Sequence, residues 1–171
     1  MKYYTDATGR YLGGWQGPVT EGQEQPHPDT PAGAVEVPVP PESASDIWDG
    51  TAWVPDLAFL KTTRKRLIKD ACRQALAGGY LTNAGITMDA GPEHVRLLDD
   101  GYRLAVRLNQ TTMDIRDYNN QVHMAVPIAD VEAMVTELAL NVQAQLAKKW
   151  SLEQQIDAAA TVAEVDAVVW S

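Results

Sequence analysis

The stretch that decides the fold reads Trp48-Asp49-Gly50-Thr51-Ala52-Trp53, just before the helical half of the chain begins. An Asp-Gly pair between aromatic strand formers is a strong short-range signal for a β-hairpin. A two-residue turn would set Trp48 across from Thr51, whereas a four-residue loop would set Trp48 directly across from Trp53. Both registers place the two indoles on one face. Because so small a hairpin does not bury two tryptophans by itself, that face must pack on the rest of the protein or on a partner.

A second hairpin is predicted upstream, over residues 3–12. Asp6 and Gly9 suit the first and fourth positions of a type I turn, in which the glycine closes the loop in a left-handed conformation. That three-residue loop sets Tyr4 across from Leu12. The other face of this hairpin carries Tyr3 and Tyr11. Gly13-Gly14-Trp15 then ends the strand.

Residues 16–45 differ in composition, because they hold seven of the ten prolines. Proline breaks helices, so this segment is predicted to be extended, and residues 35–41 suit a polyproline-like or edge-strand path. Alone, the segment buries too little apolar surface to order itself.

Helical signals dominate the rest of the chain. A first helix is predicted from about Asp56 to Ala77, where Gly78-Gly79 supplies a left-handed cap. Its apolar arc comprises Leu60, Leu67, Ile68, Ala71 and Ala75. Lys65, Arg66, Lys69 and Arg73 occupy the opposite side, within a basic run over residues 61–73. This run reads either as a solvated face neutralised by acidic neighbours or as a docking stripe for an acidic partner.

Further elements follow in order. Strands at 80–82 and 86–88 precede a helix capped by Asp89, and a third hairpin is predicted over 113–126 around Asn119-Asn120. A long helix over 127–158 either bends near Ser151 or projects to pack against another subunit, which makes a homo-oligomer through this helix one alternative. A capping box at Thr161 begins a last helix that ends at Trp170.

These elements predict an α+β protein in two parts. Residues 1–55 form an extended arm of β-hairpins and Pro-rich chain, and residues 56–171 form a mainly helical body with short hairpins. The net charge is −9, which disfavours binding of nucleic acid through its phosphates. No stretch of the sequence approaches the length of about 20 apolar residues that a membrane-spanning helix requires. The N-terminus lacks the apolar core of a secretory signal. We therefore expect a cytoplasmic protein with no membrane partner.

Chemistry-bearing motifs are sparse. The single cysteine, Cys72, rules out an internal disulfide, and the three histidines at 27, 94 and 123 lack the spacings of metal-binding helices. No phosphate-cradling loop or nucleophile turn is present. Asp99-Asp100, or Asp114 with Asp117, are candidates for acid-base work but read more simply as surface carboxylates. The sequence therefore predicts no enzyme, no catalytic or metal-binding residues and no cofactor.

The order of parts resembles the bacteriophage tail fibre assembly proteins, which are encoded beside tail fibre genes, and uncharacterised phage tail-associated domains. The resemblance spans most of the chain and rests on short sequence motifs and on their order. These are residues 3–11, the Gly/Pro-rich stretch, residues 48–54, the charged helix from Lys61 to Gly78-Gly79-Tyr80, and the C-terminal motifs at 156–159, 161–164 and Trp170. Residues 84–125 depart from the pattern most.

The resemblance implies a chaperone-like factor that binds a fibrous tail protein and assists its folding, trimerisation or attachment. The partner would be a phage tail fibre or another tail protein, in the host cytoplasm during assembly. Extended strands and aromatic anchors suit transient pairing with such a partner. The candidate partner-binding residues are Tyr3, Tyr4, Tyr11, Trp15, Trp48 and Trp53. The alternative is a permanent structural subunit of the virion tail, baseplate or fibre complex, and a small enzyme acting on host surface material is a third, less favoured hypothesis.

Overall fold

A computed structural model describes residues 1–15 and 33–171, apart from the side chain of Trp15. Strands and hairpins dominate the N-terminal part and helices the remainder, which confirms the α+β class. The backbone groups into two compact units, one of residues 1–63 with 160–163 and the other of residues 64–159 with 164–171. The extended path predicted over 16–45 lies outside the described residues from 16 to 32.

The described residues of the first unit, 1–15 and 33–63, contain five short strands. They are β1 (Lys2–Thr5), β2 (Tyr11–Trp15), β3 (Val35–Val37), β4 (Asp46–Trp48) and β5 (Trp53–Pro55). β1 lies between β2 and β3 in an antiparallel sheet, and β4 and β5 form a separate hairpin. β3 confirms the edge-strand reading of residues 35–41 over its three residues.

The N-terminal turn has the predicted chemistry but a different register. The Gly9 amide donates to the Asp6 carbonyl at 3.0 Å, and Gly9 has a φ of 85°, which confirms the left-handed closure. Tyr4 pairs with Gly13, so its predicted pairing with Leu12 is wrong. A β-bulge between Tyr4 and Thr5 shifts the register and leaves Leu12 as the extra residue.

The tryptophan hairpin adopts the four-residue alternative. Trp48 pairs directly with Trp53, and the Asp49 amide donates to the Ala52 carbonyl at 3.0 Å. The two indoles share one face, as both registers required, with ring centroids 5.5 Å apart.

The second unit holds most of the helices and two hairpins. In chain order the elements that follow β5 are α1 (Leu57–Ala77), β6 (Gly79–Leu81), β7 (Thr87–Asp89), α2 (Pro92–Arg107), β8 (Thr112–Arg116), β9 (Val122–Pro127), α3 (Ile128–Ala158) and α4 (Val162–Ala167). β8 and β9 form the predicted hairpin, and β6 and β7, which were predicted as separate strands, also pair as an antiparallel hairpin. α3 is a single helix of 31 residues that continues through Ser151. α4 ends three residues before Trp170, because Val168 leaves the helix to pack with Ile68 and Ile156.

Two predicted caps are wrong. Gly78 and Gly79 both lie outside the left-handed region, and the chain passes directly from α1 into β6. Gly79 is needed for space instead: a Cβ there would lie 2.6 Å from Thr87 Cγ2 and 3.0 Å from the ring of Tyr118. Asp89 does not cap α2, because it belongs to β7 and Gly91 is the capping residue.

The buried face of α1 differs from the predicted arc. Ile68, Cys72 and Leu76 are buried, whereas Leu67 is exposed. Part of the predicted basic stripe meets acidic side chains, since Lys65 Nζ lies 2.6 Å from Asp157 and Arg64 bonds Asp166. The main core of this unit lies between α2, α3 and the two hairpins, and its most buried members are Val131, Met134 and Leu138.

Candidate functional site

Three aromatic rings cluster where the N-terminal strands meet the tryptophan hairpin. The Trp53 ring stands edge-on to Trp48, with centroids 5.5 Å apart, and edge-on to Tyr11 at 5.9 Å. Edge-to-face aromatic pairs at these separations contribute a favourable free energy in addition to that of the apolar area that they bury. Trp53 Nε1 also donates to the Val39 carbonyl at 2.8 Å, so the indole is fixed in orientation.

Backbone contacts join the two hairpins beneath this cluster. Arg10 and Ile47 form an isolated antiparallel bridge, and the Trp48 amide donates to the Gly9 carbonyl at 2.8 Å. Gly9 permits this approach, because a Cβ at that position would lie 2.2 Å from the Trp48 carbonyl oxygen. The turn of the first hairpin therefore sets the position of the second.

A surface cavity of about 270 Å³ opens beside Tyr11, and we call it the Tyr11 cleft. It is lined by Arg10, Tyr11, Ala44, Ser45, Asp46, Ile47, Asp56 and Phe59. Phe59 is 48% exposed. Such a concave surface, apolar with a few polar groups, suits the capture of an aromatic or aliphatic side chain from a partner.

One wall of the Tyr11 cleft carries an ion pair. Arg10 Nη2 lies 3.7 Å from Asp56 Oδ2, and the Asp56 side chain is only 15% exposed. Asp56 Oδ1 accepts the Phe59 amide at 2.9 Å and thereby caps the first turn of α1. This single carboxylate thus orients Phe59 and holds Arg10 at the cleft.

Two turn carboxylates stabilise the hairpins that frame the cleft. The Thr8 hydroxyl and then the Arg10 amide lower the pKa of Asp6, and the amides of Ala52 and Thr51 lower the pKa of Asp49. Both carboxylates stay ionised and bonded to their own turns at neutral pH.

The six predicted partner-binding residues are only partly brought together. Tyr11 lines the cleft, its ring packs against Trp53, and Trp53 packs against Trp48. Tyr3 and Tyr4 are half-buried on the central strand β1, and neither lines the cleft. The side chain of Trp15 lies outside the described residues.

Phe59 is the residue that sequence reasoning missed. It is the only phenylalanine of the chain, and it stands three residues after the capping Asp56, in the exposed first turn of α1. This three-residue spacing from the capping Asp56 is the sequence signal that could have identified Phe59. Helical periodicity draws attention to the buried side of α1 instead.

A protein family defined by a domain of unknown function, DUF4376, matches residues 59–169. The chain belongs to this family. No curated protein and no solved structure matches the chain. The DUF4376 region begins at Phe59, so the other lining residues of the Tyr11 cleft precede it.

A polar cluster within the DUF4376 region is built on Asp117. Asp117 is buried; its Oδ1 accepts the amides of Asn119 and Gln121, each at 2.8 Å, and its Oδ2 lies 3.0 Å from His123 Nε2. The bond from His123, followed by these amides, lowers the pKa of Asp117. Asp114, considered above as its acid-base companion, accepts the Ala125 amide at 2.8 Å. Both carboxylates therefore hold the β8-β9 hairpin in shape.

We expect Asp117→Ala to lower the melting temperature by several degrees, because three donors lose their acceptor. Asp117→Asn should be milder, since an amide oxygen still accepts the two backbone bonds. The folded-state pKa is lowered, so the stabilising contribution is present above the ordinary value of 3.8 and is lost as pH falls through the folded-state pKa. Melting curves of the native chain and of Asp117→Asn should therefore converge as the pH falls below about 3.8. A constant difference between them down to the lowest pH would contradict this role of the charge.

Within residues 1–15 and 33–171, no group of three or more His, Cys, Asp or Glu side chains is placed to hold a metal ion. No helix in the same ranges combines the length and apolar content that crossing a membrane requires.

Proposed function

We propose that this protein is an assembly factor for a bacteriophage tail fibre or a related tail protein, and that it binds the unassembled partner through the Tyr11 cleft. The observation that carries the proposal is the cleft itself, with Phe59 exposed at its side and Tyr11 packed edge-on against Trp53, which in turn packs against Trp48. The layout that resembles tail fibre assembly proteins supports the same role. Binding would take place in the host cytoplasm while the fibre folds.

The chemistry of such a partner fits the cleft. A trimeric fibre exposes apolar side chains and unpaired strand edges until its three chains engage. The rigid aromatic wall supplies an anchor at low entropic cost, and the Arg10-Asp56 pair presents one charge of each sign to a backbone or polar group. The same unit carries further exposed apolar residues, Leu12 next to Tyr11 on β2 and Val35 on β3. An extended, apolar segment is the class of ligand that this surface suits best.

The experiment is co-expression with the fibre protein from the neighbouring gene. We expect the yield of soluble fibre trimer, measured by size-exclusion chromatography, to rise roughly tenfold when the protein is present, because capture of exposed apolar surface prevents aggregation. An unchanged yield would reject the assembly role.

Phe59→Lys tests the cleft separately. We expect it to remove most of the gain in trimer yield while leaving the melting temperature nearly unchanged, since the side chain is exposed. Leu67→Lys is the matched control, because Leu67 lies on the same helix and is similarly exposed, at 51% against 48% for Phe59. Equal losses from both variants would assign the effect to surface charge and not to the cleft.

The alternative role is a permanent virion subunit, and it makes a different prediction. Mass spectrometry of purified particles would then find the protein in a fixed ratio to the fibre. An assembly factor that is released should be absent from the particles. Neither role includes a catalytic step.

A further inference from the structure

An uncharged face runs along the exposed side of α3. Its residues follow alternating steps of three and four positions: Ala133, Thr136, Leu140, Gln143, Ala147, Trp150 and Gln154. We call this set the α3 seam. Leu140 is 60% exposed and Trp150 is 54% exposed. The core residues Val131 and Leu138 lie on the opposite face, so the seam is not needed to hold α3 in its own unit.

The pattern of the seam is that of a helix-pairing surface. Steps of three and four residues keep side chains in one line along two packed helices. From Thr136 to Gln154 the line extends about 27 Å, at 1.5 Å per residue. The Thr136 hydroxyl donates to the Glu132 carbonyl at 2.9 Å, so its polar group is already satisfied within the helix. The seam therefore offers a surface that can be covered without leaving a polar group of its threonine unpaired.

Charge indicates what covers the seam. The chain has a net charge of −9, so two copies repel each other unless they meet where neither carries charge. The α3 seam holds no charged side chain over its full length. We propose that the α3 seam is the contact between two copies of this chain, paired antiparallel along α3.

One antiparallel register makes the seam self-complementary. When the two helices cross at the level of Gln145, Leu140 of each copy faces Trp150 of the other, which buries both large exposed side chains of the seam. At the positions that flank the seam, Leu146 then lies beside Leu146 of the other copy, and Glu137 lies beside Ser151 of the other copy. No two acidic side chains of this segment are placed opposite each other, and the arrangement is isologous, as a two-fold dimer requires.

Parallel pairing is disfavoured by the same residues. Flanking positions five residues apart approach each other in parallel helices, which would bring Glu132 of one copy beside Glu137 of the other on both sides. It would also set Trp150 against Trp150 and Gln143 against Gln143. Antiparallel pairing avoids the like charges and matches a leucine to each indole.

The expected dimer is weak. Stable interfaces bury about 800 Å² on each partner, and a single helix face about 27 Å long supplies less than that. We expect a dissociation constant on the order of 10 µM. Sedimentation equilibrium of the full chain, from low micromolar to several hundred micromolar concentration, should show monomer converting to dimer. A monomer throughout this range would overturn the proposal.

Charge substitutions test the seam and its direction. Leu140→Glu and Trp150→Lys, each alone, should weaken dimerisation at least tenfold, because each buries an unpaired charge. In the antiparallel register the double variant sets the introduced carboxylate against the introduced ammonium of the other copy, so dimerisation should recover. A parallel dimer would gain only like-charge contacts, and failure of the double variant to recover would overturn the proposal.

Leu97→Glu is the matched control, since Leu97 is 55% exposed on α2 of the same unit. It should leave dimerisation unchanged. Circular dichroism of all four variants should show native helix content, because the altered side chains are exposed. If Leu140→Glu lowers fibre yield in co-expression while the native chain sediments only as a monomer, the seam binds the fibre protein and the proposed dimer is wrong.

Discussion

Gly9→Ala is expected to destabilise the N-terminal unit by roughly 3 kcal/mol, through left-handed strain and a backbone clash together. The new Cβ would lie 2.2 Å from the Trp48 carbonyl oxygen, and neither backbone can yield without breaking the bond from the Trp48 amide to the Gly9 carbonyl. The two hairpins should separate. Near-ultraviolet circular dichroism of the tryptophans should weaken, and the Tyr11 cleft should lose its ability to raise fibre yield.

Gly50→Ala is the matched control for this prediction. Gly50 also has a positive φ, of 104°, but nothing lies within 4 Å of a Cβ built there. It should therefore show only the conformational penalty, about 1 kcal/mol. Equal destabilisation by the two variants would mean that the contact between the hairpins contributes nothing, and that the cleft is held by other means.

Leu138→Ala is expected to lower the free energy of unfolding by roughly 2 to 5 kcal/mol. Leu138 is 1% exposed. It lies on α3, in the core between this helix, α2 and the two hairpins. Truncation leaves a cavity, because the close-packed side chains around it relax only in part to fill the space. Denaturant unfolding followed by far-ultraviolet circular dichroism measures the loss.

Leu140→Ala provides the comparison on the same helix. This leucine lies two residues further along α3 and is 60% exposed, so its truncation should change the stability of the monomer by less than about 0.5 kcal/mol. It should weaken self-association instead. A large loss of monomer stability from Leu140→Ala would show that the seam is already covered within the chain.

Elements set by neighbouring residues were predictable from sequence. The Asp-Gly signal located the tryptophan hairpin, and the Asp6-to-Gly9 spacing gave the first turn, because turn chemistry acts over four or five residues. The long apolar repeat likewise located α3 to within one residue at its start.

Errors arose where distant residues decide the outcome. Gly79 reads as a helix cap, but its smallness serves the ring of Tyr118, which is 39 positions away. Leu67 was expected on the buried arc of α1 but is exposed, because α3 packs instead over Cys72, whose sulfur lies 3.8 Å from the Gln145 carbonyl. Phe59 is a candidate site residue because it lines the same cleft as Arg10 and Tyr11. No local sequence pattern connects it to these two residues. Local periodicity contains none of this information.

The pairing of β1 with β3 has a consequence for the order in which the N-terminal unit assembles. Every other strand pair in the part of the chain that the structure describes joins neighbours across a turn of five residues or fewer, whereas residues 6–34 separate β1 from β3 in the sequence. Closing the longer loop costs more chain entropy, and β3 repays it with only three paired residues. β3 should therefore dock last during folding and exchange its amide protons first. Its departure would bare one edge of β1, a ready template for an incoming strand.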